Sequence, residues 1–237
     1  MKPEPEKPPE LTLEPLAETG TLGLLAALLR SPGQILHELK SGNAGRVWAV
    51  LAIGTAIALA LFGVLIGTFS YGIQLWAAPV KIMGGVLFSA AICFPSLYIF
   101  GSLGGLRASP REIGGALAMG VSLMALVLLG FAPVLWVFAQ STDSAVFMGT
   151  LLLLFWGVAV WLGLGLLLLC ARHLGMKNTG HFGVWAIVFV LVSLQMSTSL
   201  RPLIRDDGTF FNPEKKSFMV HWIDQMEVQE INGATGR

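Results

Sequence analysis

The sequence predicts an all-α fold, an integral membrane bundle of five transmembrane helices with short amphipathic helices at both ends. Of the 237 residues, 54% are hydrophobic and 12% are charged, whereas a soluble domain has about 25% charged residues. Five runs without Asp, Glu, Lys or Arg are each long enough to cross a bilayer as a helix, which takes about 20 residues. None of these runs alternates with the period of two that barrel strands require. Because only helices and closed barrels satisfy the backbone in lipid, the five runs are predicted to be helices.

The residues before the first run divide into a tail and two short helices. Residues 1–20 are rich in Pro, Glu and Lys and poor in apolar side chains, so we expect a disordered cytoplasmic tail. Residues 21–46 are expected to form cytoplasmic interfacial helices. In the second of these helices Ser31 suits the N-cap and Pro32 the first helical position. Three apolar residues then recur on one face: Ile35, Leu36 and Leu39.

A transmembrane domain is predicted over residues 47–204, and an extracytoplasmic tail over residues 205–237. Within that tail, residues 217–228 form a second amphipathic segment. The five spans are placed near residues 47–69, 80–104, 113–138, 146–170 and 182–201.

Basic residues in the short loops predict the orientation. The loop after the second span holds Arg107 and Arg111, and the loop after the fourth holds Arg172 and Lys177. The loops after the first and third spans hold only Lys81. Since short cytoplasmic loops carry an excess of Lys and Arg, we expect the N-terminus in the cytoplasm and the C-terminus outside.

Two of the predicted spans contain a proline followed three residues later by an aromatic side chain. The pairs are Pro95 with Tyr98 and Pro133 with Trp136. Pro95 is expected to kink its helix, with the hydroxyl of Ser89, Ser96 or Tyr98 as a nearby donor to the freed carbonyl. Two interpretations stay open: the kinks shape helix packing, or they frame a cavity for a lipid or small solute.

The last span is polar towards its end. Gln195 lies there among serine and threonine residues, and Arg201 follows at the predicted outer boundary. Polar groups in lipid turn towards other helices or water, so we expect this span to face the bundle interior or a partner subunit. Arg201 is interpreted either as a snorkelling anchor or as a pairing residue for the outer loops or an anionic headgroup.

The same observations bear on the class of function. No Asp, Glu, Lys, Arg or His lies within the interior of a predicted span, which disfavours ion coupling and intramembrane catalysis. We therefore expect no enzyme activity, catalytic residue, cofactor or metal. A net charge of +1 argues against nucleic acid as a partner. The expected function is a non-catalytic membrane scaffold or accessory subunit that contacts lipids and other membrane subunits. The alternative is a transporter or permeability component for a lipid-like or neutral small solute.

The segment SPGQILHELKSG before the first of five spans, together with SLRPLI at the end of the last one, resembles the YIP-like polytopic membrane proteins. The similarity is to their uncharacterised bacterial members and covers residues 31 to about 204. It implies an integral protein of the bacterial inner membrane and supplies no catalytic residue. The eukaryotic members bind small GTPases through a long N-terminal region, but this chain has only about 45 residues there and no DLYGP-like motif. GTPase binding is therefore not expected.

Overall fold

The computed structural model describes residues 20–40, 44–70, 74–142 and 145–199, and every regular element within them is a helix. The all-α prediction is thus confirmed for this part of the chain. The predicted N-terminal tail, the C-terminal tail with its second amphipathic segment, and Arg201 lie outside the described residues. The helices are α1 (Thr21–Arg30), α2 (Pro32–Lys40), α3 (Ala44–Ser70), α4 (Gln74–Leu103), α5 (Pro110–Ser141), α6 (Ala145–His173) and α7 (Gly180–Ser199).

Four of these helices, α3 to α6, are long and apolar enough to cross a membrane. A helix rises about 1.5 Å per residue, so their lengths suit a hydrocarbon core of about 30 Å. The next helix, α7, contains a shorter apolar stretch, Gly180–Met196. These are the helices of a membrane protein.

A helical hairpin of α1 and α2 packs on the bundle. Most of its large apolar side chains face the bundle, although Leu22 and Leu29 are exposed. Leu25 of α1 lies against Gly54 of α3. Leu39 of α2 lies against Gly115 of α5. Glycine at these two positions lets the hairpin approach both helices closely. The buried residues of the hairpin include Leu24, Leu28, Ile35, Leu36 and Leu39.

Helix α4 begins earlier than the sequence predicted, and this corrects the interpretation of Lys81. The span was expected from residue 80, with Lys81 counted as a loop residue, but α4 begins at Gln74. Pro79 lies within the helix, where its ring and backbone contact Gly63 of α3. Lys81 is consequently buried inside a transmembrane helix, with 2% of its surface exposed. The expectation that no ionisable residue lies inside a span was therefore wrong.

Helix α3 packs on α5 with both helices running in the same direction. Trp48 covers Gly114 near the start of each helix. Two turns further along, the hydroxyls of Thr55 and Ser122 form a buried hydrogen bond of 2.7 Å. Such hydroxyl pairs hold helices together in membranes. Lipid tails are as apolar as the helix surfaces, so apolar contact alone gives little preference for a neighbouring helix over lipid.

Two further helix contacts complete the bundle. Helices α5 and α6 meet backbone to backbone at Gly120 and Gly163, where a Cβ atom on Gly120 would lie 2.9 Å from the carbonyl oxygen of Gly163. Helices α4 and α7 meet where the buried Trp185 indole donates a 3.0 Å hydrogen bond to the carbonyl of Cys93. Phe182 and Phe189 flank that indole on α7.

The loops after α4 and α6 have the same conformation and bind each other reciprocally. Gly105 and Gly175 both adopt positive φ angles, of 89° and 100°. The amide of Arg107 donates to the carbonyl of Leu174, and the amide of Lys177 donates to the carbonyl of Gly104. Adding 70 to a residue number in one loop gives its counterpart in the other, so each bond maps onto its partner.

The same offset of 70 residues relates the helices on either side of the two loops. Helices α4 to α7 therefore form an internal repeat of two hairpins. The hairpin of α4 and α5 corresponds to the hairpin of α6 and α7, and both enter and leave the loops in the same direction. The contact of α5 with α6 corresponds to the contact of α7 with α4. Such parallel repeats are related by an axis along the membrane normal. We call the end of the bundle that carries both loops the loop end.

Candidate functional site

The structure does not bring the two predicted proline sites together. Pro95 lies eight residues before the end of α4, which is at the loop end. Pro133 lies eight residues before the end of α5, at the opposite end of the bundle. Both prolines are exposed, as are Tyr98 and Trp136. These four residues therefore face away from the bundle.

The predicted hydroxyl compensation near Pro95 is wrong for the two serines. Proline has no N–H to donate to the carbonyl four residues earlier. Ser89 donates instead to the carbonyl of Gly85, at 2.7 Å, and Ser96 to that of Cys93, at 2.8 Å. Both hydroxyls thus bond within their own preceding turn, as Ser does inside helices.

One apolar crevice lies between α5, α6 and α7. Its volume is about 10 Å³, which is the room that a single water molecule needs. The crevice is therefore too small for a solute in this conformation. It is lined by residues such as Gly120, Met124, Val160, Gly163, Trp185 and Phe189, and by none of the predicted site residues.

The repeat allows the surfaces of the two hairpins to be compared position by position. Helices α4 and α6 present matching surfaces: Ile92 and its counterpart Leu162 are both exposed. Leu97 and its counterpart Leu167 are both buried. The first helices of the two hairpins therefore have equivalent outer and inner faces.

The second helices of the hairpins differ. Four residues at helical spacing on α7 are between 38% and 63% exposed, and we call them the α7 stripe: Val184, Ile187, Val188 and Leu191. Their counterparts on α5 are Gly114, Leu117, Ala118 and Val121, all of which are buried or half-buried.

The neighbours of α5 explain this difference. Trp48 of α3 covers Gly114, and α6 packs along the side of α5 that carries Leu117 and Val121. Helix α7 packs closely on α4 but makes few contacts with α6. Within the described residues no helix lies on α7 in the place that α3 occupies on α5. On α5 the counterparts of the α7 stripe are thus covered by α3 at Gly114 and by α6 at Leu117 and Val121, whereas the α7 stripe itself is exposed within the described residues.

The two remaining predicted site residues are Gln195 and Arg201, and the structure describes only Gln195. Gln195 is exposed and lies one turn beyond Leu191, so it continues the face of the α7 stripe. The nearby Ser193 is buried. Arg201 lies outside the described residues.

The repeat and the α7 stripe were not predicted from the sequence, although the sequence carries one signal of the repeat. Gly105 is followed by an apolar residue, a cation and, after one further residue, a hydroxyl at Ser109, and Gly175 is followed by the same types at the same positions, ending at Thr179; the residue before each hydroxyl differs. The carbonyls of Ser109 and Thr179 each accept the amide four residues later, at 3.1 and 3.0 Å. The five-residue pattern recurs at a spacing of 70, but the helices around it share little sequence.

No protein-family model, curated protein or solved structure matches this chain. The candidate site, the α7 stripe, is therefore described from the structure alone.

Proposed function

We propose that this protein is a non-catalytic integral membrane scaffold or accessory subunit of a membrane complex. The observation that supports the proposal is the α7 stripe, an apolar surface whose counterparts on α5 are covered by α3 at Gly114 and by α6 at Leu117 and Val121. The bundle itself is joined by glycine contacts and buried hydrogen bonds. A bundle that exposes the apolar α7 stripe suits a protein whose role is to hold another membrane subunit.

In this proposal α7 is the fifth transmembrane helix. The loop end faces the cytoplasm, because it carries the exposed Arg107, Arg111, Arg172 and Lys177, and cytoplasmic loops are rich in Lys and Arg. The C-terminus is then outside. A bacterial inner membrane and a YIP-like family remain part of the proposal through the resemblance of the SPGQILHELKSG segment.

A transporter or permeability role is the second candidate, and the position of Lys81 favours it. Ionisable residues inside transmembrane helices are costly and commonly mark pathways for ions or polar substrates. Lys81 is buried two turns into α4. The crevice between α5, α6 and α7 is too small to admit a solute, so it would have to widen to serve as a pathway.

Purification from native membranes in a mild detergent tests the scaffold proposal. We expect the tagged full-length protein to retain another membrane protein at a fixed stoichiometry through two successive columns. Recovery of the protein with lipid alone, under conditions in which it remains folded, would contradict the scaffold function. Lipid that is bound specifically and exchanges with added lipid would favour the second candidate.

A further inference from the structure

We propose that the α1–α2 hairpin is inserted into the membrane leaflet at the loop end and binds anionic phospholipids there. The leucines on the outer side of α1 contact the acyl chains, and basic residues around the first turns of α3 and α5 contact the phosphate groups. This surface is separate from the α7 stripe, so its test does not depend on the scaffold function.

The depth of α1 follows from its contact with α3. A Cβ atom on Gly54 would lie 3.1 Å from a methyl carbon of Leu25. Gly54 is the tenth residue of the 24-residue apolar span Gly45–Thr68, so at about 1.5 Å per residue it lies about 4 Å from the middle of that span. The hydrocarbon core of a bilayer is about 30 Å thick. The tip of Leu25 therefore lies well inside the hydrocarbon core.

The composition of α1 suits that depth. Residues 22–29 are all Leu, Ala or Gly, and a helix that is apolar all round belongs in a protein core or in a membrane. The side of α1 that faces the bundle is buried at Leu24, Ala27 and Leu28. On the outer side, Leu22 and Leu29 are 80% and 59% exposed. Because α1 contacts α3 at hydrocarbon depth, acyl chains are the surroundings that these two leucines require.

Helix α1 is too short to cross the membrane, so the hairpin stays in one leaflet. Its ten residues extend over about 15 Å, half the thickness of the hydrocarbon core. Helix α2 then ends at Lys40, near Glu112 of α5 at the loop end. Unlike α1, α2 carries the polar, half-buried His37 and Glu38. Helix α2 therefore lies at the headgroups, and α1 lies deeper than the interfacial position expected from the sequence.

The charges around the hairpin identify the class of lipid. Within the described residues, every charged side chain except the buried Lys81 lies on the hairpin or at the loop end. Only Glu38 and Glu112 among them are acidic. The others are basic and exposed: Arg30, Lys40, Arg46, Arg107, Arg111, Arg172 and Lys177. Since Lys and Arg at a membrane surface attract anionic headgroups, this surface favours an anionic over a zwitterionic phospholipid.

The phosphate contacts belong beside the hairpin. Trp48 of α3 packs on Gly114 of α5, which brings together the first turns of the two helices. Arg46 lies two residues before Trp48, and Arg111 lies three residues before Gly114. Helix α2 packs on both helices and ends at Lys40. These three exposed cations surround the place where the hairpin enters the leaflet, and they form the headgroup site.

Spin labels on the full-length protein test the insertion of α1. Single cysteines replace Leu22 or Leu29, with Ile57→Cys as the lipid-facing control and Asn178→Cys as the aqueous control. Ile57 and Asn178 are both exposed, and the native Cys93 and Cys170 are buried. The protein is reconstituted in vesicles of equal parts phosphatidylcholine and phosphatidylglycerol.

We expect labels at Leu22 and Leu29 to collide more with oxygen than with a water-soluble nickel chelate, as at Ile57. Preference for the nickel chelate at either position, as at Asn178, would overturn the inference. Shielding from both reagents would also overturn it, because protein would then cover α1 in place of lipid.

Lipid selectivity in the same vesicles tests the headgroup site. Wild type should hold spin-labelled phosphatidylglycerol about fivefold more strongly than spin-labelled phosphatidylcholine, which is the effect of one basic residue at a membrane surface. The pair Arg46→Gln and Arg111→Gln should lose this preference, and the pair Arg46→Lys and Arg111→Lys should keep it. The matched control, Arg172→Gln with Lys177→Gln, removes the same charge from the other loop and should also keep it.

Each variant is first checked for a melting temperature within a few degrees of wild type. If the Gln pair at Arg46 and Arg111 does not fold, its two single variants replace it, and each should reduce the preference. No preference in wild type, or equal loss in the test and control variants, would overturn the inference. Loss of the proposed partner of α7 would leave both measurements unchanged.

Discussion

At the scale of single residues, the contact of α5 with α6 depends on two glycines. A Cβ atom on Gly163 would lie 2.7 Å from the carbonyl oxygen of Gly120, which is backbone and cannot move aside cheaply. Gly163→Ala should therefore lower the free energy of unfolding by about 1–3 kcal/mol, the usual cost of overpacking.

Gly157→Ala is the matched control for this prediction, because it lies on the same helix and a Cβ atom there meets no neighbour within 4 Å. Alanine is the better helix former, by about 0.5–1 kcal/mol, so this variant should melt at or above the wild-type temperature. Thermal unfolding in one detergent compares the two. Equal melting temperatures for both variants would mean that α5 and α6 are not in contact at this depth.

Lys81 offers a second prediction at this scale. Burying an ammonium group costs several kcal/mol, and its interactions repay that cost only in part. Lys81→Met keeps the length of the side chain and removes the charge, so it should raise the melting temperature in detergent. A fall in the melting temperature, with Ile82→Met unchanged as control, would show that the charge of Lys81 holds the structure together.

At the scale of elements, the long helices could be predicted from the sequence, because charge-free runs of sufficient length have few alternatives in lipid. The start of α4 could not be predicted, since proline disfavours a helix interior and the contact of Pro79 with Gly63 of α3 is evident only from the structure. The pairing of the two loops also escaped the sequence analysis. It depends on reciprocal backbone hydrogen bonds between Arg107 and Leu174 and between Lys177 and Gly104, and backbone groups leave little trace in side-chain patterns.

The paired loops give a topology prediction. Single cysteines at Ser109 and Thr179, one in each loop, should both resist an impermeant maleimide in intact cells, and a cysteine at Ser141 should react. The native Cys93 and Cys170 are buried, so they contribute little background. Labelling of Ser109 and Thr179 on opposite sides of the membrane would contradict the repeat, whereas labelling of both from outside would reverse the proposed orientation.

At the scale of the whole molecule, the described part of the chain consists of two similar hairpins, α4–α5 and α6–α7, with α3 and the shorter α1–α2 hairpin packed on the first of them. The α7 stripe lies on the hairpin that lacks a helix in the place of α3. The sequence analysis had singled out the polar end of the last span, including Gln195, as a place for the bundle interior or a partner subunit. The sequence alone does not distinguish the bundle interior from a partner subunit. The exposure of a residue on α7 depends on which helices α7 contacts, and the periodicity along α7 does not specify those neighbours.

The central claim is that α7 holds another membrane subunit, and native mass spectrometry of the full-length protein tests it most directly. Three forms are purified from native membranes in the same detergent: wild type, Val188→Trp on the α7 stripe, and Leu162→Trp on the α6 surface. We predict a complex of fixed stoichiometry for wild type and Leu162→Trp, and at least a tenfold loss of that complex for Val188→Trp with equal folded yield. The same mass distribution for all three forms, whether monomer with lipid or an intact complex, would contradict the claim.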